Sequence, residues 1–145
     1  MINRMDTLFM NGHTIDKLDI VIEGGTYTEY PVDYLEEYHR DLFYAANTYF
    51  DSTKRDRLSI EEEIEINKHT KVHIIGISIE TRPDAIDNDW LYRFRNWGVT
   101  RIQIGIQHTN NSILKKINRG HDIECAINAM KFLKDNCFKF SIKPW

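Results

Sequence analysis

Two stretches decide the fold, Val72–Glu80 (VHIIGISIE) and Thr100–Gln107 (TRIQIGIQ). Both are rich in β-branched residues and bounded by turn signals, which is typical of β-strands. They alternate only partly between apolar and polar residues, and this apolar content predicts parallel strands buried on both faces. Leu18–Glu23 and Phe138–Ile142 carry the same signals, so the sequence predicts four strands.

Helical patterns separate these strands, with apolar residues recurring at helical spacing. The predicted helices are Val32–Tyr49, Ile60–Asn67, Ile86–Trp97, Ser112–Asn118 and Ile123–Asn136. Ser59 is the predicted N-cap of the second, and Gly98 and Gly120 are predicted to end the third and fourth. The last carries a predicted apolar stripe of Ile123, Ile127, Met130 and Leu133. The stretch Phe50–Arg57, with its basic residues, is predicted to be a solvated loop.

The alternation of strands and helices predicts an α/β fold with about four parallel strands. Four strands cannot close a cylinder, so the predicted sheet is an open part of a (β/α) barrel. Both outer strands would then keep unpaired backbone groups. Either the chain folds as an open sheet, or other segments complete the barrel.

Composition bounds the function. The 145 residues suit one domain, and a net charge of −3 argues against binding nucleic acid by bulk electrostatics. There is no apolar run near the roughly 20 residues of a membrane helix, and Met1–Asp6 does not resemble a secretory signal. We therefore expect no membrane association and a cytoplasmic or nuclear location. Cys125 and Cys137 lie in apolar patterns without a metal-site partner and are predicted to be buried free thiols.

Functional residues of βα folds collect at the carboxyl ends of the strands. The first strand ends at Gly24-Gly25-Thr26, where glycines allow a ligand close to the backbone or simply form a tight turn. The second ends at Glu80 and Arg82, which form either a local ion pair or sites for an ammonium and an anionic group.

The third strand ends at Gln107, whose amide suits ribose hydroxyls, and His108, which lacks a second ligand at metal-site spacing. Arg119 follows a short helix and is placed to return over the same edge, although this segment also reads as an ordinary helix end. Together these groups suit a zwitterionic, ribose-bearing ligand better than a hydrolytic reaction.

The motifs resemble a known family. The stretches Gly24–Thr26, Ile79–Asp84 (IETRPD), Thr100–Gln107 and Asn118–His121 (NRGH) resemble, in order and spacing, the catalytic subunit 3 of Elongator. That family combines a radical S-adenosylmethionine (SAM) barrel with an acetyltransferase-like domain. The resemblance extends over nearly the whole chain and implies a partial radical SAM core domain over residues 1–145.

The resemblance also implies a function and a site. The family modifies the wobble uridine (U34) of tRNA, making a 5-carboxymethyl group from acetyl-CoA with SAM and a 4Fe-4S cluster. By motif position, Gly24, Gly25 and Thr26 would meet the SAM amino group. Glu80 and Arg119 would lie near its methionine moiety, and Gln107 near its ribose.

The departures from the family are equally informative. The family's cluster is bound by three cysteines in a loop that the resemblance places before Met1, whereas this chain has only Cys125 and Cys137. A final barrel strand and the acetyl-CoA domain would follow Trp145. We therefore expect no catalytic or metal-binding residues here, and activity only if other chains supply the missing parts. The alternatives are a non-catalytic remnant or interaction module, and a SAM-binding protein without a cluster.

Overall fold

The computed structural model describes residues 1–144 and contains one four-stranded parallel sheet within that range. The strands are β1 (Lys17–Ile22), β2 (His73–Thr81), β3 (Arg101–Gln107) and β4 (Lys139–Pro144). They lie side by side in sequence order, each parallel to the next. The predicted open, parallel α/β arrangement is confirmed, with strand ends shifted by one or two residues.

Six helices accompany the sheet in the described part of the chain. They are α1 (Ile2–Met10), α2 (Val32–Asn47), α3 (Ile60–Asn67), α4 (Asn88–Asn96), α5 (Asn111–Lys116) and α6 (Ile123–Asp135). All five predicted helices are present, whereas α1, whose one buried residue is Met5, was not predicted. Ser59 caps α3 as expected, in a reciprocal capping box with Glu62. Among residues 1–144, no helix has the length and apolar content required to span a bilayer.

Among the described residues, four helices are followed two positions later by a residue with positive φ, and two of these residues are glycines, the first being Gly12 after α1 (φ 83°). Gly98 (φ 76°) ends α4 as predicted. Helix α5 instead ends on Asn118 (φ 56°), where the Arg119 N–H donates to the Leu114 carbonyl, so Gly120 is not its cap. Helix α6 ends on Cys137 (φ 58°). This position points the Cys137 side chain outward, and the prediction that it is buried is wrong.

The thiols and the apolar stripe of α6 need a further correction. Cys125 is half-buried and Cys137 exposed, and both are free. Ile127 is 52% exposed, because the buried side of α6 is formed by Ala126, Ala129 and Leu133. The small alanines let α6 lie close to the sheet.

The helices cover one face of the sheet, which we call the covered face. Ile77, Ile79, Ile102 and Ile104 point to this face and are fully buried. They pack in one core cluster with helix residues that include Leu35, Phe43, Leu91, Phe94 and Leu133. Burial of these side chains supplies the main apolar stabilisation of the fold.

The opposite face, here the open face, is largely polar. Paired residues of adjacent parallel strands share a face, and the register therefore places there Val21, Ser78, Glu80, Gln103, Gly105, Ser141 and Lys143. Val21 is 52% exposed, and the Lys143 side chain is 43% exposed. On the inner strands β2 and β3, however, Ser78 and Gly105 are buried and Glu80 and Gln103 are half-buried, so the predicted burial on both faces holds for most of these two strands, although helices cover only one face. A row of polar side chains instead leads to the carboxyl ends of the strands.

Candidate ligand site

Three of the predicted site residues converge above one glycine of β3. A Cβ built on Gly105 would lie 3.3 Å from Gln107 Nε2, 3.7 Å from Arg119 Nη2 and 3.9 Å from Glu80 Oε1. The side chains reach this point from three segments: the ends of β2 and β3, and the turn after α5. Because Gly105 has no side chain, a carboxylate, an amide and a guanidinium can all approach its backbone closely.

Lys143 of β4 extends this cluster across the open face. Its Nζ lies 3.0 Å from Glu80 Oε2 and 3.5 Å from Glu23 Oε1. The hydrogen bond with Glu80 raises the pKa of Lys143. Lys143 is the register partner of Gly105, so its ammonium crosses β3 where no side chain blocks it. Glu80 thus uses one oxygen for Lys143, while Oε1 faces the space above Gly105.

Gln107 reaches the cluster through an unusual backbone. Its φ is 69°, a value that residues other than glycine and asparagine seldom adopt. The pairing of β3 with β4 is shifted between Gly105 and Gln107, so the strand bulges at Ile106. A bulge at a strand end redirects side chains, and here it brings the Gln107 amide back over Gly105.

Arg119 and Arg82 behave differently. Within residues 1–144 the Arg119 side chain forms no hydrogen bond or salt bridge, and its Nη2 lies near Gly105 on the same side as Glu80 Oε1. Arg82, by contrast, donates to Asp84, with Nε 3.0 Å from Oδ1. The Asp84 hydrogen bond raises the pKa of Arg82. The local ion pair considered for this motif is therefore formed, but between Arg82 and Asp84 rather than Glu80.

The Gly24-Gly25-Thr26 loop forms the rim of the site beside Glu23. Both glycines have positive φ, 110° and 62°, as a tight turn requires. Thr26 begins a 3₁₀ turn over Tyr27–Glu29, whose Thr28 Oγ1 lies 3.1 Å from Thr81 Oγ1 at the end of β2. The loop is thereby fixed to the strand that carries Glu80.

A buried hydrogen-bond chain anchors the same loop from below. Tyr27 Oη lies 2.6 Å from His39 Nε2, and His39 Nδ1 lies 3.0 Å from the Trp97 carbonyl oxygen. Since a carbonyl can only accept, Nδ1 carries the proton and Nε2 accepts from the tyrosine hydroxyl. Burial raises the pKa of Tyr27 and lowers that of His39 to about 4. Both groups are therefore neutral and serve structure.

His108 has a local role. Its Nδ1 accepts a hydrogen bond of 2.9 Å from the Asn110 N–H, which shapes the turn before α5. In the described residues, histidine, cysteine and carboxylate side chains do not gather in a group of three or more that could hold a metal ion. The structure therefore gives His108 a hydrogen bond that shapes a turn.

Sequence reasoning missed three members of the cluster: Glu23, Gly105 and Lys143. Each had a signal, since all three stand at strand ends, and Gly105 interrupts an otherwise β-branched strand. Only the register shows that Lys143 stands opposite Gly105 and faces Glu80.

The fold and this strand-end cluster define a class. The profile of the Radical SAM superfamily matches residues 22–142, and the chain belongs to this superfamily.

Within the superfamily, the similarity is to one branch. The chain is 33% identical over 138 residues to a "tRNA uridine(34) acetyltransferase" of Methanocaldococcus infernus, a match that covers 95% of this chain and 25% of that protein. It is 31% identical to "Elongator complex protein 3" of Dictyostelium discoideum over 94% of this chain and 23% of that protein. A solved structure of the archaeal Methanocaldococcus infernus Elongator protein, with its N-terminus deleted, superposes with a TM-score of 0.88 and 33% identity. That match covers 97% of this chain and 32% of the solved one, and the predicted resemblance is confirmed.

The chain spans about a quarter of the length of these relatives. The superfamily implies SAM and a 4Fe-4S cluster. The residues of this chain suit the first of these cofactors but not the second. The Glu80 carboxylate and the Arg119 guanidinium, which both lie close to Gly105, match in charge the ammonium and carboxylate of SAM. The two thiols do not fit a cluster, because Cys125 lies on α6 and Cys137 at the opposite end of that helix.

Proposed function

We propose that residues 1–145 are part of the SAM-binding core domain of an enzyme that modifies the wobble uridine of tRNA. In this proposal the product is a 5-carboxymethyl group made from acetyl-CoA. Residues outside this chain would supply the cluster cysteines, the acetyltransferase domain and the tRNA-binding surface. The observation that carries the proposal is the convergence of Glu80, Gln107 and Arg119 above Gly105.

The charges of the cluster assign the parts of the ligand. Glu80 Oε1 would accept a hydrogen bond from the SAM ammonium. The other oxygen of the same carboxylate already accepts a hydrogen bond from the Lys143 ammonium. Arg119 would bind the SAM carboxylate through two parallel hydrogen bonds. The Gln107 amide would bind a ribose hydroxyl.

The Gly24-Gly25-Thr26 loop would contribute backbone groups to the ligand ammonium. A Cβ at Gly24 would meet no atom within 4 Å, so a ligand can approach this backbone freely. The Tyr27–His39–Trp97 chain would hold the loop in place while the ligand binds. In the superfamily, bound SAM is the source of the radical, and the part proposed for these residues is to bind and orient it.

Calorimetric titration of the chain with SAM tests the proposal. E80Q keeps the shape of the side chain but removes the charge that would pair with the ligand ammonium. We expect it to weaken SAM binding on the order of tenfold or more, because hydrogen bonds to charged groups contribute about 1.5–3 kcal/mol. E65Q is the matched control, since Glu65 also pairs with a lysine, Lys68, but on the exposed side of α3. Equal loss in both variants, or no heat with the unchanged chain, would refute the assignment.

A second function, SAM binding without a cluster, follows from the positions of the two thiols. Expressing the chain with its neighbouring coding sequence separates the two functions. Iron content, cluster absorbance and SAM cleavage in the longer protein would support the enzyme. SAM binding without iron in that protein would support the binder.

A further inference from the structure

We infer that Asp84, held between Arg82 and His121, is a positioning residue that sets Arg119 over the ligand site. The inference rests on the proposed function, because Arg119 is the group assigned there to the SAM carboxylate. It concerns a second layer of residues, which connects two sequence motifs through contacts that neither motif reveals alone.

Arg82 and Asp84 form the first half of this connection. They flank Pro83 in the turn after β2, and the guanidinium grips both carboxylate oxygens of Asp84. Burial acts to raise the pKa of Asp84, but its hydrogen bonds with Arg82 and with its own backbone hold that pKa below the usual range. Asp84 is therefore a stable anion at the edge of the site.

His121 forms the second half. Its side chain is fully buried, with Nδ1 3.6 Å from Asp84 Oδ1 and Nε2 3.4 Å from the Ile106 carbonyl oxygen. Nδ1 has no hydrogen-bond partner among the described residues. Both nitrogens thus face oxygen atoms, one of the Asp84 carboxylate and one of the Ile106 backbone.

These contacts enclose Arg119 on both sides. Asn118, before it, holds a left-handed backbone that ends α5, and the Arg119 N–H is bonded to Leu114. After it, a Cβ on Gly120 would come within 2.6 Å of Arg82 Nη2, so backbone and guanidinium are in direct contact. The backbone next to Arg119 thus packs against the Arg82–Asp84 ion pair. The Arg119 side chain makes no hydrogen bond among residues 1–144, so its placement depends on how its backbone is held.

Two ligands that differ only in the carboxylate test the inference: SAM and decarboxylated SAM. D84N keeps the shape of the side chain but removes the charge between Arg82 and His121. We expect it to weaken SAM on the order of tenfold while leaving decarboxylated SAM within twofold, because only the carboxylate uses Arg119. R119Q should show the same selectivity, and D84N/R119Q should be no worse than R119Q alone.

G120A supplies a second variant at an exposed position. Its added methyl would displace the Arg82 guanidinium from Asp84. We therefore expect it to weaken SAM selectively, as D84N does but by a smaller factor, and it can be measured even if D84N folds poorly. D41N is the matched control, since Asp41 also pairs with arginines, Arg40 and Arg57, but on α2 and its neighbouring loop. It should change neither affinity.

Three outcomes would overturn the inference: equal weakening of both ligands by D84N, additivity of D84N with R119Q, or equal affinity of the unchanged chain for both ligands. If the unchanged chain binds neither ligand, the proposed function itself has failed. The two failures are therefore distinguishable.

Discussion

The two sides of the sheet each hold a glutamate paired with a cation, and the two pairs are built differently. Glu63, on the helix side, is fully buried and bonded to Arg55 through both oxygens, to the Asn47 amide and to the Leu58 N–H. Glu80, on the open face, is 21% exposed and bonded to Lys143 through one oxygen. The first carboxylate is saturated by its own chain, and the second keeps an oxygen free.

This difference separates stability from binding. A saturated buried carboxylate cannot accept a ligand, but its loss leaves several donors without a partner. An incompletely paired carboxylate adds little to stability, because a partly exposed ion pair is screened by water. Changes on the helix side should therefore alter unfolding and spare SAM affinity, and changes on the open face should do the reverse.

The largest effect is expected for E63Q. The change leaves Arg55 and the Leu58 N–H without their charged partner, and breaking a buried pair costs about 3–5 kcal/mol. Because Arg55 is itself one-third exposed and can turn to water, we expect the free energy of unfolding measured in urea to fall by about 3 kcal/mol. E62Q, one residue earlier and exposed, is the matched control and should cost much less, because it weakens only the capping box. A loss of SAM affinity in folded E63Q would contradict the idea that the helix side affects only unfolding.

His39 should make the helix side sensitive to acid. Its pKa is about 4 when folded against an ordinary value of 6.5, so below pH 6.5 the unfolded chain takes up the proton first. Stability present at pH 7 should then fall by about 1.4 kcal/mol per pH unit between pH 6.5 and 4. Urea unfolding at pH 7, 6 and 5 measures this slope. H39Q should reduce it, whereas H13Q, which removes an exposed histidine, should not; an unchanged slope in H39Q contradicts the assignment.

Most of the fold followed from local signals. The β-branched runs and the N-cap at Ser59 depend on residues near in sequence, and the strands and helices were predicted with end errors of one or two residues. The errors arose where tertiary packing decides. Arg55, expected in a solvated loop, crosses to buried Glu63, and the open face of the sheet is polar because helices cover only the other face.

The site was predictable in part for the same reason. Glu80, Gln107 and Arg119 stand at strand or helix ends, and motif position singled them out. Lys143 could not be found in this way, because its contact with Glu80 depends on the register of β4 against β3 and on the missing side chain of Gly105. The pairing of Arg82 with Asp84 and His121 likewise depends on how two distant turns meet.

The smallest effect is expected for K143M. Whether this change raises or lowers SAM affinity shows whether Lys143 opposes or assists the ligand on the open face. Lys143 competes with a ligand ammonium for Glu80, and SAM carries a net positive charge through its sulfonium. Removing the lysine makes the cluster more negative, so we expect SAM to bind about threefold more tightly at low salt, the size typical of a partly exposed ion pair. The gain should shrink as salt rises, because screening shortens the range of these charges.

K68M, which breaks the exposed Lys68–Glu65 pair on α3, should leave the affinity unchanged. Weaker binding by K143M in calorimetry would show that Lys143 orients Glu80 or meets the ligand carboxylate, and that this pair, like Glu63 and Arg55, is needed intact.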